Sequence, residues 1–145
     1  MPFTVEKWAE QILAGNLRAI SRAITAVEDH DPRAEALLKQ LFPSTGRANI
    51  VGITGAAGTG KSTIVDRLAA QYRQRGEQLG IIAVDPTSPY TGGAILGDRI
   101  RMQGHAGDAG IFIRSMATRG FLGGLARTTG DVALVLDAAG KQTVL

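Results

Sequence analysis

The sequence predicts an α/β fold with a parallel sheet, preceded by a short helical extension. Apolar residues recur at helical spacing through residues 1–43, whereas from residue 49 onward β-branched runs alternate with helical patterns. That alternation is typical of strand–helix–strand units, whose strands pair in parallel. The 145 residues, 44% of them hydrophobic, can bury one sizeable core. We therefore divide the chain into an N-terminal helical extension (1–43), a connector (44–48) and an α/β portion (49–145).

Three helices are predicted in the extension, each with its own start or stop signal. Thr4 is a candidate N-cap for the first helix, and Gly15-Asn16 ends it. The second helix ends at the polar string EDHDP, within which Asp31 caps a third helix that has Pro32 at its first position. We expect the periodic apolar residues to form the core of the extension: Val5, Trp8, Ala9, Ile12, Leu13, Leu17, Ile20, Ile24, Val27, Ala34, Leu37, Leu38 and Leu41.

The α/β portion contains three predicted strands and two predicted helices. The strands are NIVGIT (49–54), LGIIAVD (79–85) and GIFIRSM (110–116). One helix lies between the first two strands and ends at Gly76, and the other covers residues 121–140. The final string QTVL has the pattern of a strand that is beginning, which indicates that the α/β portion is truncated.

Composition excludes several classes of protein. The net charge of +3 comes from basic residues that are scattered along the chain, so no nucleic-acid partner is indicated. The absence of cysteine excludes disulfides and thiolate metal sites. No stretch approaches the roughly 18 apolar residues of a membrane span, and the N-terminus lacks the pattern of a signal peptide. We therefore expect a cytoplasmic protein without a membrane partner.

The string GAAGTGKST, residues 55–63, predicts a phosphate-binding loop. It has the P-loop pattern of two glycines five positions apart followed by lysine and serine, and it stands between a predicted strand and a predicted helix. Backbone N–H groups of such a loop turn inward around phosphate, and the free helix N-terminus adds partial positive charge. The candidate nucleotide-binding residues are Gly55, Ala56, Ala57, Gly58, Thr59, Gly60, Lys61, Ser62 and Thr63.

Three side chains of this loop have separate predicted roles. The Lys61 ammonium would lie over the β- and γ-phosphates, the Ser62 hydroxyl would ligate Mg²⁺, and Thr63 would donate near the α-phosphate. A dinucleotide-binding turn is the nearest alternative, because Asp85 ends the second strand as a ribose-binding carboxylate would. The glycine spacing argues against it, since Lys61-Ser62-Thr63 stands where the third glycine should be.

Two acids are candidate metal ligands. Asp85 ends a strand that adjoins the loop, at the edge where ligands of open α/β sheets bind, although Asp85-Pro86 could instead only begin a turn. Asp98 lies in the turn-rich segment that follows. Its spacing fits either a metal ligand or the N-cap of a helix over RIRMQ.

Three strings together resemble the MeaB/ArgK/methylmalonic aciduria type A G-proteins: TGRANIVGITGAAGTGKST, VDPTSPYTGGAILGDRIRM and FIRSMATRGFLGGLA. The resemblance implies a P-loop GTPase that binds GTP, GDP and Mg²⁺ and assists adenosylcobalamin-dependent methylmalonyl-CoA mutase, or a related mutase, as a chaperone. It also implies that Lys61 and Asp98 act in catalysis, and that Ser62, Asp85 and Asp98 surround the metal. Ala56-Ala57 stands where that family usually has proline, and Phe121 where it often has histidine.

The resemblance covers only the N-terminal part of the family pattern. In the family, a strand with a second metal-ordering acid, a guanine-reading motif and a dimerising extension follow the segment seen here. We therefore expect the longer form to be a homodimer and the 145-residue chain to be a weak GTPase at best. From these residues alone the base could belong to GTP or ATP, so an ATP-dependent kinase or ATPase of the arginine/ornithine transport type stays open.

Overall fold

The computed structural model describes residues 4–55, 60–85, 107–117 and 122–145. The chain forms two compact units. The first contains Met1–Ala48 and Gly123–Lys141, and the second contains Asn49–Leu122 and Gln142–Leu145.

The first unit contains the three predicted N-terminal helices. They are α1 (Val5–Leu13), α2 (Leu17–Glu28) and α3 (Pro32–Leu41), and a short 3₁₀ turn over Phe42–Ser44 follows them. The predicted caps are confirmed for α1 and α3: the Thr4 hydroxyl accepts from the Lys7 N–H, and the Asp31 carboxylate accepts from the Arg33 N–H. The Asn16 side chain caps α2 in the same way.

Two tight corners join these helices, and both use the same hydrogen bonds. At the end of α1 the Gly15 and Asn16 N–H groups donate to the carbonyls of Ile12 and Gln11. At the end of α2 the His30 and Asp31 N–H groups donate likewise to Val27 and Ala26, which completes a Schellman motif at each corner. Gly15 has a φ of +82° and His30 a φ of +54°. His30 therefore occupies a left-handed position that favours glycine.

Nine of the thirteen predicted core residues of the three helices are buried, whereas Val5 and Leu38 are half-buried. Trp8 of α1 is 3% exposed, and its indole N–H donates to the Ala19 carbonyl of α2 at 3.0 Å. The guanidinium groups of Arg22 and Arg33 lie 5.7 and 5.6 Å from the centre of the Trp8 ring, within cation–π range. Leu13 and Leu17 are exposed, because both lie at helix ends beside the first corner.

Helix α5 (Leu122–Ala138) forms where a helix was predicted, and its described C-terminal half contributes to the first unit. Val132, Val135 and Leu136 are buried. Asp137 is also buried, and its carboxylate accepts hydrogen bonds from the backbone N–H groups of Gly46 and Ala48 at 2.7 and 3.2 Å. The carboxylate thus fixes the connector within this unit.

The second unit is built on a parallel sheet, as predicted. Its strands are β1 (Asn49–Ile50), β2 (Leu79–Asp85), β3 (Ile111–Ala117) and β4 (Thr143–Val144), in the order β1-β4-β2-β3. β2 and β3 pair over seven residues, from Leu79 with Ile111 to Asp85 with Ala117. The prediction of a strand over 49–54 was too long, because β4 pairs with only two residues of β1.

Helix α4 (Lys61–Gln74) packs on one face of this sheet. The buried cluster between them contains Ala69, Leu79, Ile81, Ile111 and Leu145. Because a helix that follows a parallel strand runs back along the sheet, α4 begins at the edge formed by the carboxyl ends of the strands. In the described part of the chain, no helix is long and apolar enough to cross a membrane.

Candidate functional site

The glycine-rich loop leads directly into α4. Gly60 precedes the helix with a φ of +93°, a conformation that residues with a Cβ rarely adopt. No atom lies within 4 Å of the position where a Cβ would be, so the backbone angle, not the space, requires glycine here. Among the described residues no side chain caps α4, and the Ile64 N–H donates to the Gly60 carbonyl at 3.0 Å. The preceding N–H groups of the first turn are therefore suited to an anion.

Lys61 is the first residue of α4, and its ammonium donates to the carbonyl of Gly55. The side chain therefore folds back towards the first glycine of the string. Ser62 and Thr63 follow in the same helical turn, Ser62 half-buried and Thr63 exposed. The structure thus brings the predicted lysine and both hydroxyl residues to one helix N-terminus. Ala56, Ala57, Gly58, Thr59 and Asp98 lie outside the described residues.

The structure describes two of the three predicted metal ligands, Ser62 and Asp85. Both lie at the edge of the sheet formed by the carboxyl ends of the strands. Asp85 is the last residue of β2, where its backbone pairs with Ala117. A serine hydroxyl and a carboxylate are hard oxygen donors, which is the chemistry that Mg²⁺ prefers. Within the described ranges no three His, Cys, Asp or Glu residues cluster as a metal site.

The other end of α4 carries an ion pair that the sequence did not reveal. The Arg73 guanidinium donates to both carboxylate oxygens of Asp108, at 2.8 and 2.9 Å, and to the Glu77 carbonyl at 2.8 Å. Hydrogen bonding to Asp108 raises the pKa of Arg73 above its ordinary value. Asp108 also accepts from the Gly110 N–H, just before β3 begins. The pair thus ties the entry of β3 to the end of the helix that starts at the glycine-rich loop.

Known proteins resemble this chain over nearly its whole length. The family profile described as methylmalonyl Co-A mutase-associated GTPase MeaB matches residues 20–145. A putative GTPase of Pyrococcus horikoshii is 53% identical over 97% of this chain, and the GTPase ArgK of Escherichia coli is 36% identical over 98% of it.

A solved structure described as the crystal structure of LAO/AO transport system kinase has the same fold. It matches 97% of this chain with a TM-score of 0.71 and 26% sequence identity. This chain covers 44% of the length of the two relatives from Pyrococcus and Escherichia, and 41% of the solved chain.

Proposed function

The chain belongs to the methylmalonyl Co-A mutase-associated GTPase MeaB family, and from that premise we propose that it binds GTP and hydrolyses it to GDP at residues 55–63. The observation that carries the proposal is the position of Lys61 at the uncapped N-terminus of α4, directly after a left-handed glycine. Relatives named as GTPases match 97–98% of the chain, which includes this loop.

The roles of the loop residues follow from charge. Lys61 now donates to a backbone carbonyl, and exchange of that carbonyl for phosphate oxygens would pair its charge with a stronger acceptor. The N–H groups of the loop, residues 55–60, and of the first turn of α4 would surround the phosphates. In phosphoryl transfer these fixed charges stabilise the transition state, so we assign Lys61 a catalytic as well as a binding role.

Mg²⁺ fits the oxygen donors at the carboxyl edge of β2. We assign Ser62 and Asp85 as its protein ligands, with Asp98 as a third ligand that also acts in catalysis. When bound, the ion would neutralise charge on the β- and γ-phosphate oxygens. The protein's contribution is to hold the hydroxyl and the carboxylates where they can meet it.

The proposed partner is methylmalonyl-CoA mutase or a related adenosylcobalamin-dependent mutase. The support is the description of the family whose profile matches residues 20–145, which names association with this mutase. We propose that GTP binding and hydrolysis accompany cofactor loading and protection of the mutase. We also propose that the longer form acts as a homodimer.

A kinase or ATPase is the second candidate, because the solved structure with the same fold is described as a transport system kinase. Both functions need the same phosphate loop. Titration of the chain with GTP and with ATP shows which base the site prefers. Nucleotide labelled at the γ-phosphate shows which molecule accepts the transferred phosphoryl group. Release of label to water supports the GTPase, whereas stoichiometric transfer to a small molecule or protein would establish the kinase.

Lys61→Ala tests the site itself. We expect it to abolish binding of GTP with Mg²⁺ and to leave the unfolding midpoint unchanged, because Lys61 is the first residue of α4 and is not part of the buried cluster beneath that helix. Lys39→Ala is the matched control, since Lys39 is an exposed lysine that pairs with Glu35 on the surface of α3. Wild-type affinity in Lys61→Ala would show that the phosphates bind elsewhere.

A further inference from the structure

One hydroxyl group in the second unit has no hydrogen-bond partner. The Ser115 Oγ on β3 is buried, and among the described residues it is the one buried side-chain oxygen or nitrogen atom without a partner. Burial of an unpaired hydroxyl costs free energy, so native proteins rarely retain one without a compensating role.

The register of the sheet shows which face Ser115 is on. Ile111 and Ile113 precede it at alternate positions, and both pack in the cluster beneath α4. Because alternate residues of a strand share a face, Ser115 is on the side of the sheet that α4 covers. It pairs with Ala83 of β2, so two small residues follow the larger pair of Ile81 and Ile113. The sheet thus becomes less crowded on this face towards its carboxyl edge.

Asp85 stands two positions beyond Ala83 on β2. Two residues along a strand and one strand across correspond to about 8 Å between Cα atoms, which a serine hydroxyl and a carboxylate can span together. We propose that, when the site holds Mg²⁺ and nucleotide, the Ser115 hydroxyl donates a hydrogen bond to the carboxylate of Asp85 and orients it towards the metal. Ser115 is then a positioning residue, and its role rests on the proposed nucleotide site.

This assignment accounts for the unpaired hydroxyl. A carboxylate that gives one oxygen to a metal can accept a hydrogen bond at the other, and such outer donors hold metal ligands in place. Without nucleotide, the Ser115 hydroxyl is buried without a partner, which costs free energy. With nucleotide and metal it gains a charged acceptor, to which a hydrogen bond is stronger than to a neutral one. The serine therefore favours the loaded state over the empty one.

The test compares Ser115→Ala with wild type in two measurements on the 145-residue chain. The first is the affinity for a fluorescent GDP analogue, with Mg²⁺ and with EDTA. We expect Ser115→Ala to weaken binding about tenfold with Mg²⁺, at the low end of the effect of losing such an outer partner, and to leave binding in EDTA unchanged. Ser115→Thr, which keeps the hydroxyl, should restore the affinity with Mg²⁺.

The second measurement is the unfolding midpoint without nucleotide. Ser115→Ala should leave it unchanged or raise it, because the lost hydroxyl has no partner in that state. Thr143→Val is the matched control on β4, another strand of the same sheet. The buried Thr143 hydroxyl donates to the Glu77 carboxylate at 3.1 Å, so this variant should lower the midpoint and leave the effect of Mg²⁺ unchanged.

The outcomes separate this inference from the proposed function. If wild type binds with a clear effect of Mg²⁺ and Ser115→Ala binds identically, the positioning role is wrong and the nucleotide site stands. A lower midpoint for Ser115→Ala without nucleotide would also overturn the role, because it would show a structural partner. If wild type binds no guanine nucleotide under either condition, the proposed function and this inference both fail.

Discussion

Gly110→Ala is expected to destabilise the second unit through Arg73. A Cβ on Gly110 would overlap the Arg73 guanidinium, well inside van der Waals contact. Such an overlap is usually relieved when a flexible side chain moves. Here the guanidinium is held by two hydrogen bonds to Asp108 and one to the Glu77 carbonyl, so movement breaks all three.

The size of the destabilisation follows from the hydrogen bonds that Arg73 would lose. The Arg73 and Asp108 side chains are 26% and 34% exposed, so the pair is partly screened by water. Exposed pairs are worth about 0.2–1 kcal/mol, whereas hydrogen bonds to charged groups in less exposed sites reach about 1.5–3 kcal/mol. We therefore expect Gly110→Ala to lower the free energy of unfolding by about 2 kcal/mol. Backbone strain adds nothing, because Gly110 is not in the left-handed region.

A double-mutant cycle in urea, followed by circular dichroism, isolates the cause. Arg73→Ala removes the side chain that the new methyl group would displace. In that background Gly110→Ala should cost almost nothing, so the two changes should depart from additivity by about 2 kcal/mol. Gly107→Ala is the control on the same segment, since a Cβ there meets no atom within 4 Å. Equal costs of Gly110→Ala in both backgrounds would refute the steric argument.

Three further predictions concern the first unit. His30→Gly should raise the free energy of unfolding by about 0.5–1 kcal/mol, because glycine adopts the left-handed corner without strain. Gly15→His at the matching corner should lower the free energy of unfolding. Urea unfolding measures both changes. Asp137→Ala should lower the free energy of unfolding by about 2–3 kcal/mol, because two hydrogen bonds to the connector are lost. Asp137→Asn should lower it less, because one side-chain oxygen can still accept. Equal losses of stability in the two variants would contradict this reasoning. Hydrogen bonds from the Arg33 side chain lower the pKa of Asp31 from 3.8 to about 2, so its stabilising effect is present above pH 4 and is lost as the pH falls through 2. The difference in thermal midpoint between wild type and Asp31→Asn should accordingly shrink between pH 4 and pH 2, and a constant difference would show that the charge is not responsible.

The elements that the sequence predicts well are those whose signals are local. The Thr4 and Asp31 caps each act within three residues of their partners, so the starts of α1 and α3 can be recognised from short strings. β2 was predicted with its observed bounds, since LGIIAVD is a continuous apolar run with partners on both sides. The length of β1 was not predictable in this way, because strand length depends on how far the partner extends.

In the candidate site, too, the sequence predicts features with local signals and does not predict contacts between distant residues. The glycine string predicted Lys61, Ser62 and Thr63 at a helix N-terminus, since the P-loop pattern is contiguous. The ion pair of Arg73 and Asp108 joins residues 35 positions apart, and no periodicity links them. The contact of Asp137 with Gly46 spans 91 positions. Only the fold brings such partners together, so composition and spacing do not identify them.

Helix α4 is fixed at both ends as well as along its packed face. At its start, Gly60 sets the entry angle and Lys61 donates to Gly55. At its end, the Gly76 N–H donates to the Arg73 carbonyl in a Schellman motif, while the Arg73 side chain binds Asp108. The first-turn N–H groups are therefore held in place relative to the strand ends before any phosphate arrives. Because the helix is already ordered, nucleotide binding at the proposed site would not have to supply the free energy of ordering it, and more of the interaction with phosphate would contribute to affinity.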